Sequence, residues 1–275
     1  MSSVCLTIEE VQQIELDMLG YLDRVCRDNG IECCLFYGTA LGARRHGGFI
    51  PWDDDVDVAV SYADISHLIE LVNGDGNERY VALSYKDDSS YMHPYAKLVD
   101  TRTFVEEPTN RKVEELGVFI DLFPMFRLAD NSGLTKLRVR MHNFRQKLFT
   151  YNFVRDRRQI KNESFKKRLF YSLAHLAFLC GNPKARLEAW EEGFYRRLGS
   201  PSTPRYVCSP YDSTNIYPYD CIFPFCEVDF QGRRFQAPCD LDAYLRIMYG
   251  DSYMTPIRQE DSYHGCARFR EEGGR

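Results

Sequence analysis

Four carboxylates, Asp53, Asp54, Asp55 and Asp57, crowd into five positions of the segment FYGTALGARRHGGFIPWDDDVDVAV, which runs from Phe36 to Val60. So many like charges close together oppose folding unless cations or ordered donors neutralise them. The chemistry that rewards such a cluster is divalent-cation binding by hard oxygen ligands, with phosphate as the companion anion. Val56, Val58 and Val60 alternate with Asp55, Asp57 and Ala59, the period of a strand with valines toward a core and both aspartates on the other face. Asp53 and Asp54 fall at the strand's entrance, where they either reach a metal or only orient neighbours and cap the strand. The spacing of Asp53, Asp55 and Asp57, with Asp64 at the twelfth position, mimics a calcium-binding EF-hand loop. Val58, standing where that loop needs Gly, excludes it.

A fifth carboxylate, Asp121, lies alone in the apolar run GVFIDLF, Gly117 to Phe123, and a lone acid in a predicted strand needs a partner. Its candidate roles are metal ligand and base toward a hydroxyl, because a purely structural buried acid usually carries an Arg partner. Upstream, a predicted strand from Cys33 to Tyr37 is followed by Gly38-Thr39 and a short predicted helix from Ala40 to Arg45. Backbone amides and the Thr39 hydroxyl at that turn are placed to meet a phosphate. Arg45 and Lys97 are further phosphate candidates, although Arg45 serves equally well to pair with one of the aspartates. Trp52 either stacks on a ligand or packs in the core. His46 reads as a structural histidine.

The elements that must position these residues are legible by period. Ile8 to Asn29 predicts an amphipathic helix with a capping box from Thr7 and Glu10, and Tyr62 to Asn73 predicts another. Tyr80 to Tyr85, Tyr95 to Asp100 and Thr103 to Glu106 read as strands. Helices dominate from Leu134 to Leu198. Within them LFYSLAHLAFLC, Leu169 to Cys180, is too short to span a bilayer and reads first as a buried core helix, second as an interfacial one. A hairpin is expected for Cys226 to Phe230 with Arg233 to Gln236, and a closing helix from Asp240 to Tyr249. The fold class is therefore α+β with a mixed sheet. It divides into a catalytic core over 1–130, a largely helical basic region over 131–200 and a C-terminal hairpin and helix region over 201–275 that completes the core on its acceptor side.

Composition is that of a soluble globular chain, 44% hydrophobic and 27% charged over 275 residues. Met1 to Glu15 is polar and acidic, not the basic-then-apolar pattern of a secretory signal, so the cytoplasm is the expected compartment. Ten cysteines without a CxxC pair read as reduced, packed thiols and not as a zinc or redox framework. Twelve Lys or Arg against two acids give Leu134 to Arg168 a charge of +10, which leaves −15 for the rest of a chain whose total is −5. That basic surface is either a solvated helix face or a site for an anionic partner: a phosphate-rich acceptor or an anionic membrane. Nucleic acid is disfavoured, because the acidic remainder repels it and no DNA or RNA motif accompanies the basic run.

A strand ending in a small-residue turn, then acid-apolar-acid-apolar, then a third acid on a later strand resembles the nucleotidyltransferase superfamily pattern, with Thr39 keeping the hydroxyl of the turn. The intervening residues are closer still. Tyr37-Gly38-Thr39, Leu41-Gly42, Arg45-His46 and Gly48 to Asp57 resemble the signature of the LicD family, which includes the fukutin-related transferases. Lys97, Asp100-Thr101-Arg102, Gly117 to Pro124, Phe230, Pro238, Tyr244-Leu245, Tyr249-Gly250-Asp251 and Pro256 extend the likeness over about residues 10 to 265. The resemblance implies a nucleotidyltransferase-like core. It implies a Mg²⁺- or Mn²⁺-dependent transferase that moves phosphocholine, or a similar phospho-alcohol, from CDP-choline or a related CDP-alcohol to a hydroxyl of a cell-surface glycan or teichoic-acid precursor. In that reading Asp55, Asp57 and Asp121 are catalytic and hold the metal, while Gly38, Thr39, Arg45 and Lys97 bind donor phosphates. Asp53, Asp54, Trp52 and His264 stand behind them. Trp52 would stack on cytosine or choline, and Tyr211, Tyr217 and Tyr219 are candidates to cage a quaternary ammonium. A lipid-linked acceptor would place the protein at the inner face of the membrane. Two other readings stay open: transfer of NMP from an NTP to a small molecule or sugar, and cation-dependent glycan binding without turnover.

Overall fold

The computed structural model describes residues 4–86, 91, 93–106, 116–152, 169–170, 172–174, 176, 178, 181–199, 202–211, 213–256 and 266–270. The first helix, α1 (Ile8–Asp28), starts at the expected capping box: Thr7 Oγ1 accepts from the Glu10 amide and the Glu10 carboxylate accepts from the Thr7 amide. Strand β1 (Cys33–Leu35) ends two residues earlier than expected, and α2 (Tyr37–His46) begins at once. Gly38 and Thr39 are thus the first turn of a helix and not a turn before one. Strand β2 (Val56–Ser61) follows the acidic loop, and α3 (Ile65–Gly74) leads to β3 (Tyr80–Leu83), β4 (Ala96–Asp100) and β5 (Thr103–Glu106). Strand β6 (Phe119–Leu128) runs through Pro124, longer than the apolar run alone suggests.

These strands form one mixed sheet in the order β1-β2-β6-β4-β3. β2 and β6 are parallel, and every other pairing is antiparallel. The far end of β6 is extended by β7 (Tyr206–Cys208) and β8 (Tyr217–Pro218), so the C-terminal region completes the core sheet. Because β2 is an inner strand, Val56 to Val60 is buried on both faces. The expected division into a core face and a solvent-facing acidic face is corrected accordingly: Asp57 is buried at the strand's start.

The helices cover this sheet. α1 packs on β4 and β6, α2 lies against β2, and α4 (Gly133–Asn152) packs with α5 (Pro183–Leu198), which also touches β6. A hairpin of β9 (Cys226–Phe230) and β10 (Arg233–Ala237) turns at Gln231-Gly232, both at positive φ. Gln231 returns its amide to the Gly47 carbonyl at 2.7 Å, pinning the hairpin to the end of α2. The closing helix α6 (Leu241–Tyr249) is capped by Asp240 and stopped by Gly250. Strand β11 (Cys266–Phe269) pairs with β5, and Cys266 forms a disulfide with Cys5. The expectation of reduced thiols is corrected at this pair, which the fold brings together across 261 residues of sequence. Seven other cysteines are free thiols among the described residues.

The Leu169–Cys180 run also departs from its reading as a core helix. Ala174 and Phe178 are buried, but Leu169, Leu173 and Leu176 are exposed. Residues 153–168, which carry seven of the twelve bases in the basic run, lie outside the described residues.

One close approach holds the acidic loop onto α2: a Cβ at Gly42 would lie 2.4 Å from the Gly48 carbonyl oxygen. Gly42→Ala is therefore expected to lower stability by about 1–3 kcal/mol in urea unfolding. Gly74→Ala, where a Cβ meets nothing within 4 Å, should change it by less than about 1 kcal/mol.

Candidate active site

The register of three neighbouring strands assembles the site. Parallel pairing sets Asp57 opposite Asp121, and antiparallel pairing sets Lys97 on β4 opposite the same Asp121. Lys97 is 2% exposed, and its ammonium lies 2.5 Å from Asp121 Oδ1 and 3.3 Å from the centroid of the Phe119 ring. A buried ammonium this far from water needs an anion, and Asp121 supplies it. Asp121 thus has its counter-charge from Lys, where the sequence suggested that a structural acid would call for Arg. Lys97 reaches donor phosphates only in so far as Asp121 shares it.

Asp57 is fixed from the other side by α2. Its amide donates to Thr39 Oγ1 at 2.7 Å, and its Oδ2 accepts from the Gly38 amide at 3.1 Å. The amide and hydroxyl expected to meet a phosphate therefore hold the aspartate, a carboxylate at a helix N-terminus. Tyr37, the first residue of α2, takes φ of +36°, rare for a residue with a side chain. It is held there by the Tyr244 hydroxyl on its amide and by its own hydroxyl on the Ser209 carbonyl.

The acids divide around this point. A Cβ on Gly38 would lie 3.4 Å from Asp53 Oδ2 and 3.5 Å from Asp57 Oδ2, so those two carboxylates converge over Gly38. Gln12 on α1 donates to the Asp53 carbonyl at 2.8 Å and fixes the loop. Asp54 turns the other way, buried beside Glu15 of α1. Asp55 is half-buried just before β2. Glu15 is 1% exposed and its Oε2 has no hydrogen-bond partner. Burial first, then the charges of Asp55, Asp54, Asp53 and Asp121, push its carboxyl well above the usual range. Glu15 was missed from sequence, although its position one helical turn from Val11 and near Met18 put it on the apolar face of α1.

Above Gly38 and Asp53 opens a cleft of about 280 Å³, walled by Arg45, Trp52, Tyr249 and Tyr253. Arg45 Nε and Nη2 are buried without a hydrogen-bond partner, and among the described residues no ion pair joins Arg45 to an aspartate. The Trp52 ring meets His46 edge-on at 6.4 Å. Tyr249, partly exposed on the cleft wall, has its phenol raised above its ordinary value, by desolvation first and then by the charge of Asp57. The structure therefore brings together Gly38, Thr39, Asp53, Asp55, Asp57, Asp121 and Lys97, with Arg45 and Trp52 on the cleft wall. Tyr211 and Tyr217 are buried in the core and Tyr219 stacks on Phe223, so no open cage forms from that trio. His264 lies outside the described residues.

Among the described residues, no three acidic, histidine or cysteine side chains converge tightly enough to hold a metal ion as they stand. The donor set nevertheless suits Mg²⁺, which typically takes one or two carboxylates and completes its shell with water and substrate phosphate. Asp57 and Asp121 in register, with Asp53 and Asp55 adjacent, supply that minimum.

The site sets carboxylates on adjacent strands below a cleft lined by one arginine, Arg45, and one aspartate, Asp53. The family model described as LicD/FKTN/FKRP, nucleotidyltransferase domain, matches residues 30–168, and the chain belongs to that family as a LicD-type transferase. It is 25% identical over 262 residues, 94% of this chain and 96% of the relative, to the lipopolysaccharide cholinephosphotransferase LicD of Haemophilus influenzae. A 44-residue segment, 16% of each chain, is 43% identical to an uncharacterized protein of Rickettsia prowazekii.

The Lys97–Asp121 pair makes a direct prediction. Lys97→Met leaves a buried carboxylate without its cation and should cost about 3–5 kcal/mol in urea unfolding. Lys97→Met combined with Asp121→Leu should recover much of that loss. A Lys97→Met cost below about 1 kcal/mol would show that the pair is not held as described.

Proposed function

We propose that this chain transfers phosphocholine, or a similar phospho-alcohol, from a CDP-linked donor to a hydroxyl of a lipid-linked cell-surface glycan, with Mg²⁺ or Mn²⁺. The observation that carries this reading is the register of Asp57 beside Asp121 below a cleft walled by Arg45, whose Nε and Nη2 have no hydrogen-bond partner. Near full-length similarity to a lipopolysaccharide cholinephosphotransferase supports the choice of substrates.

In the reaction, the acceptor oxygen attacks the phosphorus bearing the alcohol, the bond from that phosphorus to the oxygen of CMP breaks, and CMP departs with the bond's electron pair. Asp53, Asp55, Asp57 and Asp121 would hold the divalent cation, which neutralises the diphosphate and the leaving phosphate when bound. Arg45, on the cleft wall with two buried N–H groups that lack a hydrogen-bond partner, would pair with a donor phosphate oxygen as guanidinium groups do with oxyanions. The proton of the acceptor hydroxyl passes to solvent as the new bond forms, and Asp121, held by Lys97, serves as a cation ligand. Trp52 offers a ring to the cytosine or the choline end.

The acceptor's lipid gives the exposed helices a role. Leu134, Leu137, Met141 and Phe144 line one exposed stripe of α4, interleaved with Lys136, Arg138, Arg140, Arg145 and Lys147. The Phe144 ring meets Phe170 at 5.6 Å, which continues the stripe toward the exposed Leu173 and Leu176. A basic surface with an apolar stripe suits adsorption to an anionic leaflet. No helix among the described residues is long and apolar enough to cross a membrane. We place the working site at the cytoplasmic face of the membrane.

Phosphorus NMR with CDP-choline, CDP-ribitol and CTP in turn, with an acceptor glycan, tests the reaction. CMP release from a CDP-alcohol, abolished by EDTA and lowered on the order of 10²–10³-fold in Asp57→Asn and Asp121→Asn with the fold intact, is expected. Pyrophosphate release from CTP would point instead to NMP transfer, and binding without turnover of any donor to a non-enzymatic glycan-binding role. Sedimentation with vesicles containing anionic lipid should fall between 0.05 and 0.5 M salt, roughly as the Debye length shortens. It should fall further in Leu137→Glu. Salt-independent association would remove the surface's role.

A further inference from the structure

A second cavity, of about 360 Å³, lies at the opposite end of the strands from the acidic loop and shares no lining residue with the cleft over Gly38. It is bounded by the residues after β2 and β3, the approach to β4, Pro124 of β6 and one face of α5. Four tyrosines, Tyr62, Tyr85, Tyr95 and Tyr195, line it together with a single acid, Glu191. The Tyr62 and Tyr195 rings are 4.8 Å apart and tilted by 39°. The volume is in the range of small-ligand pockets, about 300–1,000 Å³.

Glu191 is the unusual group. It is 4% exposed, and three neutral donors point at it: the Tyr85 hydroxyl at 2.6 Å, the Tyr211 hydroxyl at 3.1 Å and the Gln146 amide at 3.1 Å. Three hydrogen-bond donors around one carboxyl suit its ionised form, which accepts all of them. No Lys, Arg or His lies within ion-pairing distance of it among the described residues. Lys86, the one cationic side chain lining the cavity, is drawn to Glu188 at 3.6 Å. Burial raises the proton affinity of Glu191, against the pull of the three hydrogen bonds, and a cation in the cavity would relieve that cost. Tyrosine faces around an otherwise uncompensated carboxylate are the chemistry that recognises organic ammonium ions.

We propose that this cavity binds an organic cation of the trimethylammonium class, with Glu191 as counter-charge and Tyr62, Tyr85, Tyr95 and Tyr195 as the ring wall. The assignment does not depend on the transfer reaction. The cation is either a free small molecule or the head of a larger ligand, and the shared chemistry is the ammonium.

Calorimetric titration of the full chain with choline, and with its neutral isostere 3,3-dimethylbutan-1-ol, tests it. Choline should bind saturably and at least tenfold more tightly than the isostere. Glu191→Gln and Tyr195→Leu should each weaken choline at least tenfold, while Asp57→Asn, in the other cleft, should leave it unchanged. Circular dichroism checks folding, and should Glu191→Gln fail to fold, the half-buried Tyr195 decides. Displacement of choline by CDP-choline would assign the cavity to the head of a larger ligand, and its absence to a free cation; both support the ammonium site. No saturable binding, equal binding of the isostere, or choline binding indifferent to both cavity variants would overturn it. Donor turnover is measured separately, so the loss of one reading leaves the other standing.

Discussion

The site depends on one buried ion pair. Asp121 sits in the middle of a sheet where an isolated carboxylate would be strongly disfavoured, and Lys97 across the β4–β6 pairing makes its charge tolerable. With Asp121 anionic in place, the parallel pairing of β2 and β6 sets Asp57 beside it. Two like charges on adjacent strands then call for further donors, and α2 provides them: the Gly38 amide on the Asp57 carboxylate and Thr39 on its backbone. The positive φ of Tyr37 is the backbone cost of starting that helix directly under the carboxylate. Neutralisation is nevertheless incomplete. Asp53, Asp54 and Asp55 add negative charge, and with burial they push the proton affinity of Glu15 up, a field that favours a divalent cation brought in with a polyanionic donor.

The two cavities differ in the chemistry they offer. The cleft over Gly38 offers Arg45 and a carboxylate floor suited to metal and phosphate, whereas the cavity beside α5 offers tyrosine rings and one carboxylate. They stand at opposite ends of the same strands, so a single sheet carries both. Outside them, the α4 stripe presents apolar side chains between bases, a third surface with its own kind of partner.

Much of this was legible in the sequence because a polar residue inside an apolar period is conspicuous. Asp57 interrupts a valine alternation and Asp121 an aromatic and aliphatic run, so each marks a strand, and the register sets the two side by side. The capping box at Thr7 and Glu10 and the Gln231-Gly232 turn are local signals, and the structure follows them. What stayed hidden depends on contacts between distant segments. No local pattern states the β4–β6 register, so Lys97 read as a free phosphate ligand. Glu15 was passed over as one more polar residue of an amphipathic helix, although its spacing from Val11 and Met18 put it inward. Cys5 and Cys266 meet only because β11 returns to β5. The leucines at 169, 173 and 176 look like core by composition, yet composition does not say whether anything packs over them.

Manganese binding followed by electron paramagnetic resonance, with and without CDP-choline, tests the central claim most directly: Asp57 and Asp121 form one cation site that a diphosphate donor completes. The account predicts weak binding to the protein alone, marked tightening with the donor, and loss of that tightening in Asp57→Asn and in Asp121→Asn. Donor-enhanced binding that survives both substitutions would contradict it.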